Sequence, residues 1–310
     1  MKIIKEDTNP IFDLTPHQVR MATCYRDRNG IYHLFSDYID ADMGTIDSWE
    51  AEIRYYKSDD LRNWEYVETP ALRGPAGEPD SFGAASPHVL ATNDKIFLFY
   101  ASRQVHGDAK MNCFAKSGEP GFMSGSIMMC VADTDINGAP AGPFKKHGIV
   151  LKSGTGWNSM RLDDPCALLE GDTVHLYFKG FDNNLDHDRI CVGHSSAKLN
   201  DMKFISDPKP VLSVPGGGEM PRLFMKEDKW NMFYRHFAGP GKPYSWHHHQ
   251  SEDGISWNQN SMNFFAGRSG PSDIMLIYDM NGELPAEPQL LVAGFDNGIQ
   301  KFWLYKVCYN

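Results

Sequence analysis

The chain has 310 residues, 41% of them hydrophobic and 12% aromatic, which is enough to bury a sizeable core in one large domain. Its formal charge is −10 with no run of five like charges, so it lacks the basic stripe that nucleic acid or an anionic membrane surface requires. No stretch approaches about 18 consecutive apolar residues, which excludes a membrane-spanning helix.

The opening residues, MKIIKEDTNP, carry charge where a leader peptide needs its apolar core. Six cysteines (Cys24, Cys113, Cys130, Cys166, Cys191 and Cys308) are scattered with no CxxC spacing, and read as free thiols in a reducing compartment. The expected location is cytoplasmic, or periplasmic where a leader has been removed.

Five runs of aromatic and aliphatic residues follow one another, each entered from a turn of Asp, Asn, Gly or Pro type. They are IYHLFS from Ile31, KIFLFYAS from Lys95, TVHLYFKG from Thr173, KWNMFYRH from Lys229 and QLLVAGF from Gln289. Equivalent positions Tyr32, Phe97, Val174, Trp230 and Leu290 lie 65, 77, 56 and 60 residues apart. Such short runs, rich in β-formers and bounded by turn residues, predict strands. No long segment carries apolar residues at helical spacing, so almost no helix is expected.

A second element recurs behind the first. YYKSDDLRNWEY from Tyr55, HSSAKLNDMKF from His194 and HHQSEDGISWN from His248 each read as a strand, a polar turn and an aromatic placed to reach back. MCVADTDINGAPAGPF from Met129 is a looser copy. The repeat predicts an all-β, five-bladed β-propeller with four-stranded blades around a central funnel, in one domain over residues 1–310. A sandwich is the rival, but it has no need of five-fold repetition. The last strand, KFWLYKVC from Lys301, is placed to close the ring on an N-terminal strand.

Residues just before the first strand of a blade and just after the second would face each other across the funnel. The entering segments are DLTPHQV from Asp13, AASPHVL from Ala84, RLDDPCALL from Arg161 and GGGEMPRLF from Gly216, each with a proline behind a polar or acidic residue. They bring His88, Arg161, Asp164 and Glu219 to the mouth. The returning strands bring Asp37, Ser102 with Arg103, Lys179, and Arg235 with His236. Trp49, Trp157 and Trp246 are candidate aromatic walls. Carboxylates across a cleft among cations are what glycoside hydrolysis uses, one donating a proton to the leaving oxygen and the other activating water. Arg161 and Lys179 share a blade with Asp164 and are expected to keep it ionised. Lys179, Arg161, Arg235, His236, His88 and Trp49 are the candidate substrate contacts.

Other chemistries fit poorly. In His247–His249 alternate residues point oppositely, so at most two share a face and a zinc site would need a third ligand. There is no G-x-S-x-G, and the glycines at 216–218 lack the Lys and Ser/Thr of a phosphate loop. No metal and no cofactor is expected. The expected partner is an oligosaccharide, with a homo-oligomer open.

The set RLDDPCALLEGDTVHLYFKG, GGGEMPRLF, WEAEIRYYKSDDLRNW and HQSEDGISW resembles the five-bladed glycosidases of families 43, 32 and 117. It is most similar to family 117, the exo-acting 3,6-anhydro-L-galactosidases that process agar oligosaccharides. The resemblance runs from about Trp49 to Trp257 and implies an inverting hydrolase. It makes Asp164 the carboxylate that orients the site and tunes acidity, and Glu219 the blade-four carboxylate; Glu219 is the expected proton donor. Two positions depart from the pattern. Gly218 stands where family 117 has a histidine, and the blade-one aspartate expected as base is missing, its slot being Thr15 before Pro16, or Met21. Asp37, Asp13 and His17 are the candidates to replace it. A family 43-like arabinosidase or xylosidase is one alternative, and a non-catalytic carbohydrate-binding propeller the other.

Overall fold

The computed structural model of the chain describes residues 2–6, 9–40, 50–107, 118–182, 189–237, 244–258, 262–266, 272–296 and 299–308. Trp49 and Cys113 lie outside the described residues.

The described chain is all-β, with a 3-10 turn at Met280–Gly282 and no α-helix among the described residues. After β1 (Lys2–Lys5), the strands come in groups whose members pair antiparallel in chain order. The first group is β2 (Ala22–Arg26), β3 (Tyr32–Tyr38), β4 (Glu52–Ser58) and β5 (Glu65–Ala71). The second is β6 (Gly83–Ala91), β7 (Lys95–Val105), a two-residue β8 (Met123–Ser124) on β7, then β9 (Ile127–Asp133) and β10 (Lys145–Leu151). The third has β11 (Arg161–Glu170), β12 (Thr173–Phe181) and β13 (Cys191–Lys198). The fourth has β14 (Gly218–Lys226), β15 (Lys229–Phe237), β16 (Tyr244–Ser251) and β17 (Met262–Ala266). The last has β18 (Asp273–Tyr278), β19 (Gln289–Asp296) and β20 (Ile299–Cys308), completed by β1, whose Lys2 to Lys5 pair with Cys308 to Tyr305. A short parallel pairing of Ile277 and Tyr278 with Cys24 and Tyr25 joins this group to the first in one eight-stranded sheet.

The third group stops at three strands. Beyond β13, among the described residues, only an isolated bridge, Val192 to Leu212, continues the sheet. The segment there contains Pro208, Pro210 and Pro215, which have no N–H to give a ladder.

Burial falls from the first strand to the last in the first two groups. β6 and β18 are buried at every residue, whereas β5 and β10 are exposed over their first halves. The first strands are thus innermost, and they touch in a cycle: β2 meets β6, β6 meets β11, β11 meets β14, β14 meets β18, and β18 pairs with β2. Apolar clusters fill the spaces between successive groups. One holds Phe99, Met129, Leu162 and Phe178, another Leu168, Tyr177, Leu223 and Met232, and a third Cys24, Leu34, Met275 and Phe302.

The polar turns behind the third strands form as their sequences suggest. The Asp60 carboxylate accepts the N–H groups of Arg62 and Asn63 at 2.7 and 2.8 Å, and Asp253 those of Ile255 and Ser256 at 2.9 and 2.7 Å. The aromatics that follow reach back. Trp64 lies edge-on to Phe12, Phe144 to Phe35, Phe204 to Phe99 and Trp257 to Tyr177. Five described cysteines are free, and four of them are buried.

Candidate active site

The site begins with a backbone irregularity repeated in three inner strands. The ladder slips between Ala85 and His88, between Asp163 and Cys166, and between Glu219 and Arg222. At each slip a left-handed residue precedes a proline: Ser86 at φ 53°, Asp164 at 50° and Met220 at 53°. A proline usually forces its predecessor into extended backbone, and a non-glycine residue at positive φ costs about 1 kcal/mol or more. The bulge accommodates the missing N–H and aims neighbouring side chains to different sides. In β11 it splits two consecutive carboxylates, Asp163 toward β6 and Asp164 toward β14. Gly216 and Gly217, both at positive φ, make the tight turn that delivers β14 to the same place.

On the β11–β14 side, Asp164, Lys179 and Glu219 meet. Lys179 Nζ donates to Glu219 Oε2 at 2.6 Å and stands 3.8 Å from Asp164 Oδ2. Arg235 donates to Glu219 Oε1 from Nε at 3.0 Å and from Nη2 at 2.7 Å. Asp164 and Glu219 expose under a tenth of their side chains, and Asp164 Oδ2 has no hydrogen-bond partner among the described residues. Burial works against ionisation of Glu219, but Arg235 and Lys179 outweigh it and hold the carboxyl down at about 2. Burial dominates at Asp164, with Lys179 opposing and the charges of Asp163 and Glu219 adding, so its carboxyl titrates above the ordinary range. Of the cations expected to keep Asp164 ionised, Lys179 opposes burial there without overcoming it, and Arg161 pairs with Asp163. That residue is held low, against burial, by Arg103, Arg161 and Lys179.

On the β2–β6–β11 side, Asp37 Oδ1 accepts the Ser86 N–H at 2.7 Å, and Arg20 Nη2 stands 3.7 Å from Asp37 Oδ2. Ser86 Oγ donates to Asp163 Oδ1 at 3.1 Å. Arg103 and Arg161 approach the two Asp163 oxygens at 3.6 and 3.5 Å. Asp37 is fully buried, and burial lifts its carboxyl to about 6 against the pull of Arg20 and Arg103. Beyond β14, Arg222 grips Asp273 with Nη2 at 2.8 and 3.1 Å.

The structure gathers Asp37, Arg161, Asp164, Lys179, Glu219 and Arg235 of the sequence-predicted residues. Of the candidates for the missing blade-one aspartate, Asp13 is exposed beside Thr15 and Lys301, and His17 lies against Asp40 and Tyr38. Met21 fills the ladder position, its carbonyl accepting the Asp37 N–H, while Thr15–Pro16 lies upstream in a turn. His88 sits deeper, bonded through Nε2 to the Ala167 carbonyl at 2.9 Å, and burial keeps its ring neutral with a pKa of about 3. His236 turns away to the Pro215 carbonyl and the His247 ring. Trp246 is a core residue rather than a wall, and Trp157 stacks on Phe178 and covers Gly180 and Gly193. His247 and His249 share the Tyr234 ring while His248 bonds Asn231.

Arg20, Ser86, Asp163, Arg222 and Asp273 were not singled out from the sequence. A signal for Asp163 exists, since it stands two residues before its proline, as Glu219 does, whereas Asp164 stands one before.

No protein-family model and no curated protein matches the chain. Solved structures do. A family 117 glycoside hydrolase from the marine bacterium Zobellia galactanivorans superposes with a TM-score of 0.67 at 17% identity, over 98% of this chain and 90% of the other. The endo-arabinase of Bacteroides thetaiotaomicron VPI-5482 gives 0.63 at 15% identity, over 97% and 98%. The catalytic domain of the Coprinopsis cinerea GH62 α-L-arabinofuranosidase gives 0.64 at 14%, over 98% and 97%. At such identities the likeness is one of fold, and it spans nearly the whole of this chain.

Proposed function

We propose that the chain is a single-domain, five-bladed β-propeller that hydrolyses a glycosidic bond at the end of a short oligosaccharide, with inversion. The observation that carries this reading is the convergence of Asp164, Lys179 and Glu219 from neighbouring sheets on a buried charged cluster that also holds Asp37. Five innermost strands touching in a cycle support the propeller.

Inversion needs an acid and a base about 6.5–9.5 Å apart, with a water between base and sugar. Asp164 and Glu219 are both held against the Lys179 ammonium group, which favours a partner carboxylate from outside that cluster. The base is therefore Asp37, whose carboxyl at about 6 suits proton abstraction from water near neutrality. Glu219, expected to be the donor, is pinned as an anion by Arg235 and Lys179. Asp164 has the bare oxygen and the raised affinity for a proton, so it donates to the leaving oxygen. Glu219 then holds Lys179 in place and sets the acidity of Asp164. Arg161 and Arg235 are the residues assigned to sugar hydroxyls in this reading. The resemblance to family 117 puts agar-type 3,6-anhydrogalactosides first among substrates, with arabinosides and xylosides second.

The test is release of reducing ends from marine and plant oligosaccharides, with two variants assayed on natural and nitrophenyl glycosides. Asp164→Asn should lose about 10²–10⁴-fold on the natural linkage and far less on the nitrophenyl one, which needs little protonation. Glu219→Gln should slow both. The opposite pattern returns the donor role to Glu219. No hydrolysis, with only a sugar-induced rise in melting temperature, would leave a carbohydrate-binding propeller.

A further inference from the structure

Ser86 touches two carboxylates from two different sheets. Its backbone N–H crosses from β6 to Asp37 Oδ1 on β3 at 2.7 Å, and its hydroxyl donates to Asp163 Oδ1 on β11 at 3.1 Å. The residue is 1% exposed, so both contacts lie out of water. Asp163 Oδ1 also takes the Asp164 N–H at 3.3 Å. A continuous path of hydrogen bonds thus runs from Asp37 in the first group, through Ser86, to the Asp163–Asp164 pair in the third.

The first of these contacts depends on an unfavourable backbone. Ser86 stands at φ 53° before Pro87, in a region that non-glycine residues avoid and that a following proline disfavours further. The β6–β7 register passes from Ala85 to His88, which leaves the Ser86 N–H to Asp37 rather than to the ladder. The short N–H contact favours an ionised carboxylate and decides which of its oxygens is engaged. Oδ1 is committed to Ser86, whereas Oδ2 has no hydrogen-bond partner among the described residues, with Arg20 Nη2 at 3.7 Å. A general base has to present one lone pair to its water in a fixed direction.

We propose that Ser86 is the positioning residue for the base: its left-handed backbone, anchored by the hydroxyl on Asp163, holds Asp37 Oδ1 and leaves Oδ2 to the attacking water. The proposal rests on the reading of Asp37 as base given above. Ser86 acts through Asp37, and it also ties the base to the strand that carries the acid. One residue thereby sets the spacing that inversion requires.

NMR titration of the full chain, with the Asp37 carboxyl carbon assigned through Asp37→Asn, tests it. The charges facing Asp37 are Arg20, Arg103 and Asp163, and the Ser86 variants alter none of them. In the unmodified chain the Ser86 amide proton should titrate with the same midpoint as the Asp37 carboxyl. Ser86→Ala keeps the left-handed cost but loses the anchor. It should raise that midpoint by about one unit, because the N–H favours the ionised carboxyl. Ser86→Gly also lacks the hydroxyl, yet glycine takes positive φ freely and should reverse most of the shift. The acidic limb of kcat/KM should follow the same order, with KM changed by about twofold or less. A Ser86 amide that stays flat through the Asp37 midpoint overturns the proposal, and that measurement needs no variant to fold. An Asp37 midpoint equal in all three proteins overturns it too. So does a midpoint displaced as far in Ser86→Gly as in Ser86→Ala, which would leave a hydroxyl contact and no role for the backbone. Matching titrations without hydrolysis of any oligosaccharide would remove the glycosidase reading and leave Ser86 as the residue that orients Asp37. Hydrolysis with a flat Ser86 amide would do the reverse.

Discussion

Glu219 and Asp37 are both buried carboxylates, yet their surroundings push them in opposite directions, and their effects on stability carry opposite signs. Glu219 titrates at about 2 in the folded chain against an ordinary 4.5. Its contribution is complete above pH 4.5 and disappears as pH falls toward 2. Glu219→Gln would leave Lys179 and Arg235 with one buried counter-charge fewer, a loss of about 3–5 kcal/mol near neutrality. Urea unfolding at pH 7 and pH 3 should show that gap wide at the first and narrowed at the second. Asp37 titrates at about 6 against 3.8, so the folded chain favours its protonated form, and stability is lost as pH rises from about 4 through 6. Asp37→Asn escapes that loss, so its melting temperature relative to the unmodified chain should be more favourable at pH 7 than at pH 4. The acidic residues before prolines were visible in the sequence, but their environments were not. An Asp-Asp-Pro run does not say which carboxylate faces which neighbour, because that depends on the left-handed turn at Asp164.

Strands were the most legible level, because aromatic and β-branched runs between turn residues can do little else than pair and pack. The bulge was illegible for a specific reason. Proline predicts an extended residue before it, and Ser86, Asp164 and Met220 are left-handed instead. The third group's missing outer strand could be read afterwards from three prolines, though the repeat suggested four strands throughout. Where the repeat succeeded best was the aromatic behind each outer turn. Trp64, Phe144, Phe204 and Trp257 each pack on an aromatic outside their own group, at centroid distances of 5.8, 5.4, 6.1 and 6.1 Å. These rings join each group to the one before. Trp257→Ala should therefore cost about 3–5 kcal/mol by emptying the seam beside Tyr177. Hydrogen exchange should quicken in β12 and β15, which flank the seam, before it does in β3. A loss confined to β16 and β17 would mean that the ring serves its own group alone.

At the scale of the whole molecule, the two ends of the chain meet in one sheet. β1 pairs with β20 over four residues, and further along Phe12 bridges to Phe302. The last group therefore owes its outermost strand to the first residues of the chain, an arrangement that the final apolar run from Lys301 suggested. Its inner strand β18 is in turn paired with β2. This seam, unlike the others, is held by residues far apart in sequence, so opening it releases a long loop and regains its closure entropy. Deleting residues 1–6 removes β1 and the contact of the Glu6 N–H with the Leu304 carbonyl. The exposed edge of β20 and the weakened seam should lower the denaturation midpoint. The deletion should also raise hydrogen exchange in β18, β19 and β20 first, then in β2. β7 and β12, whose partners are untouched, should keep their protection until global unfolding. If protection instead falls equally in every group, the sheets unfold as one cooperative unit and the terminal pairing is no separate latch. Unchanged exchange in β20 would show that β19 and the packing of Phe302 hold that strand without β1.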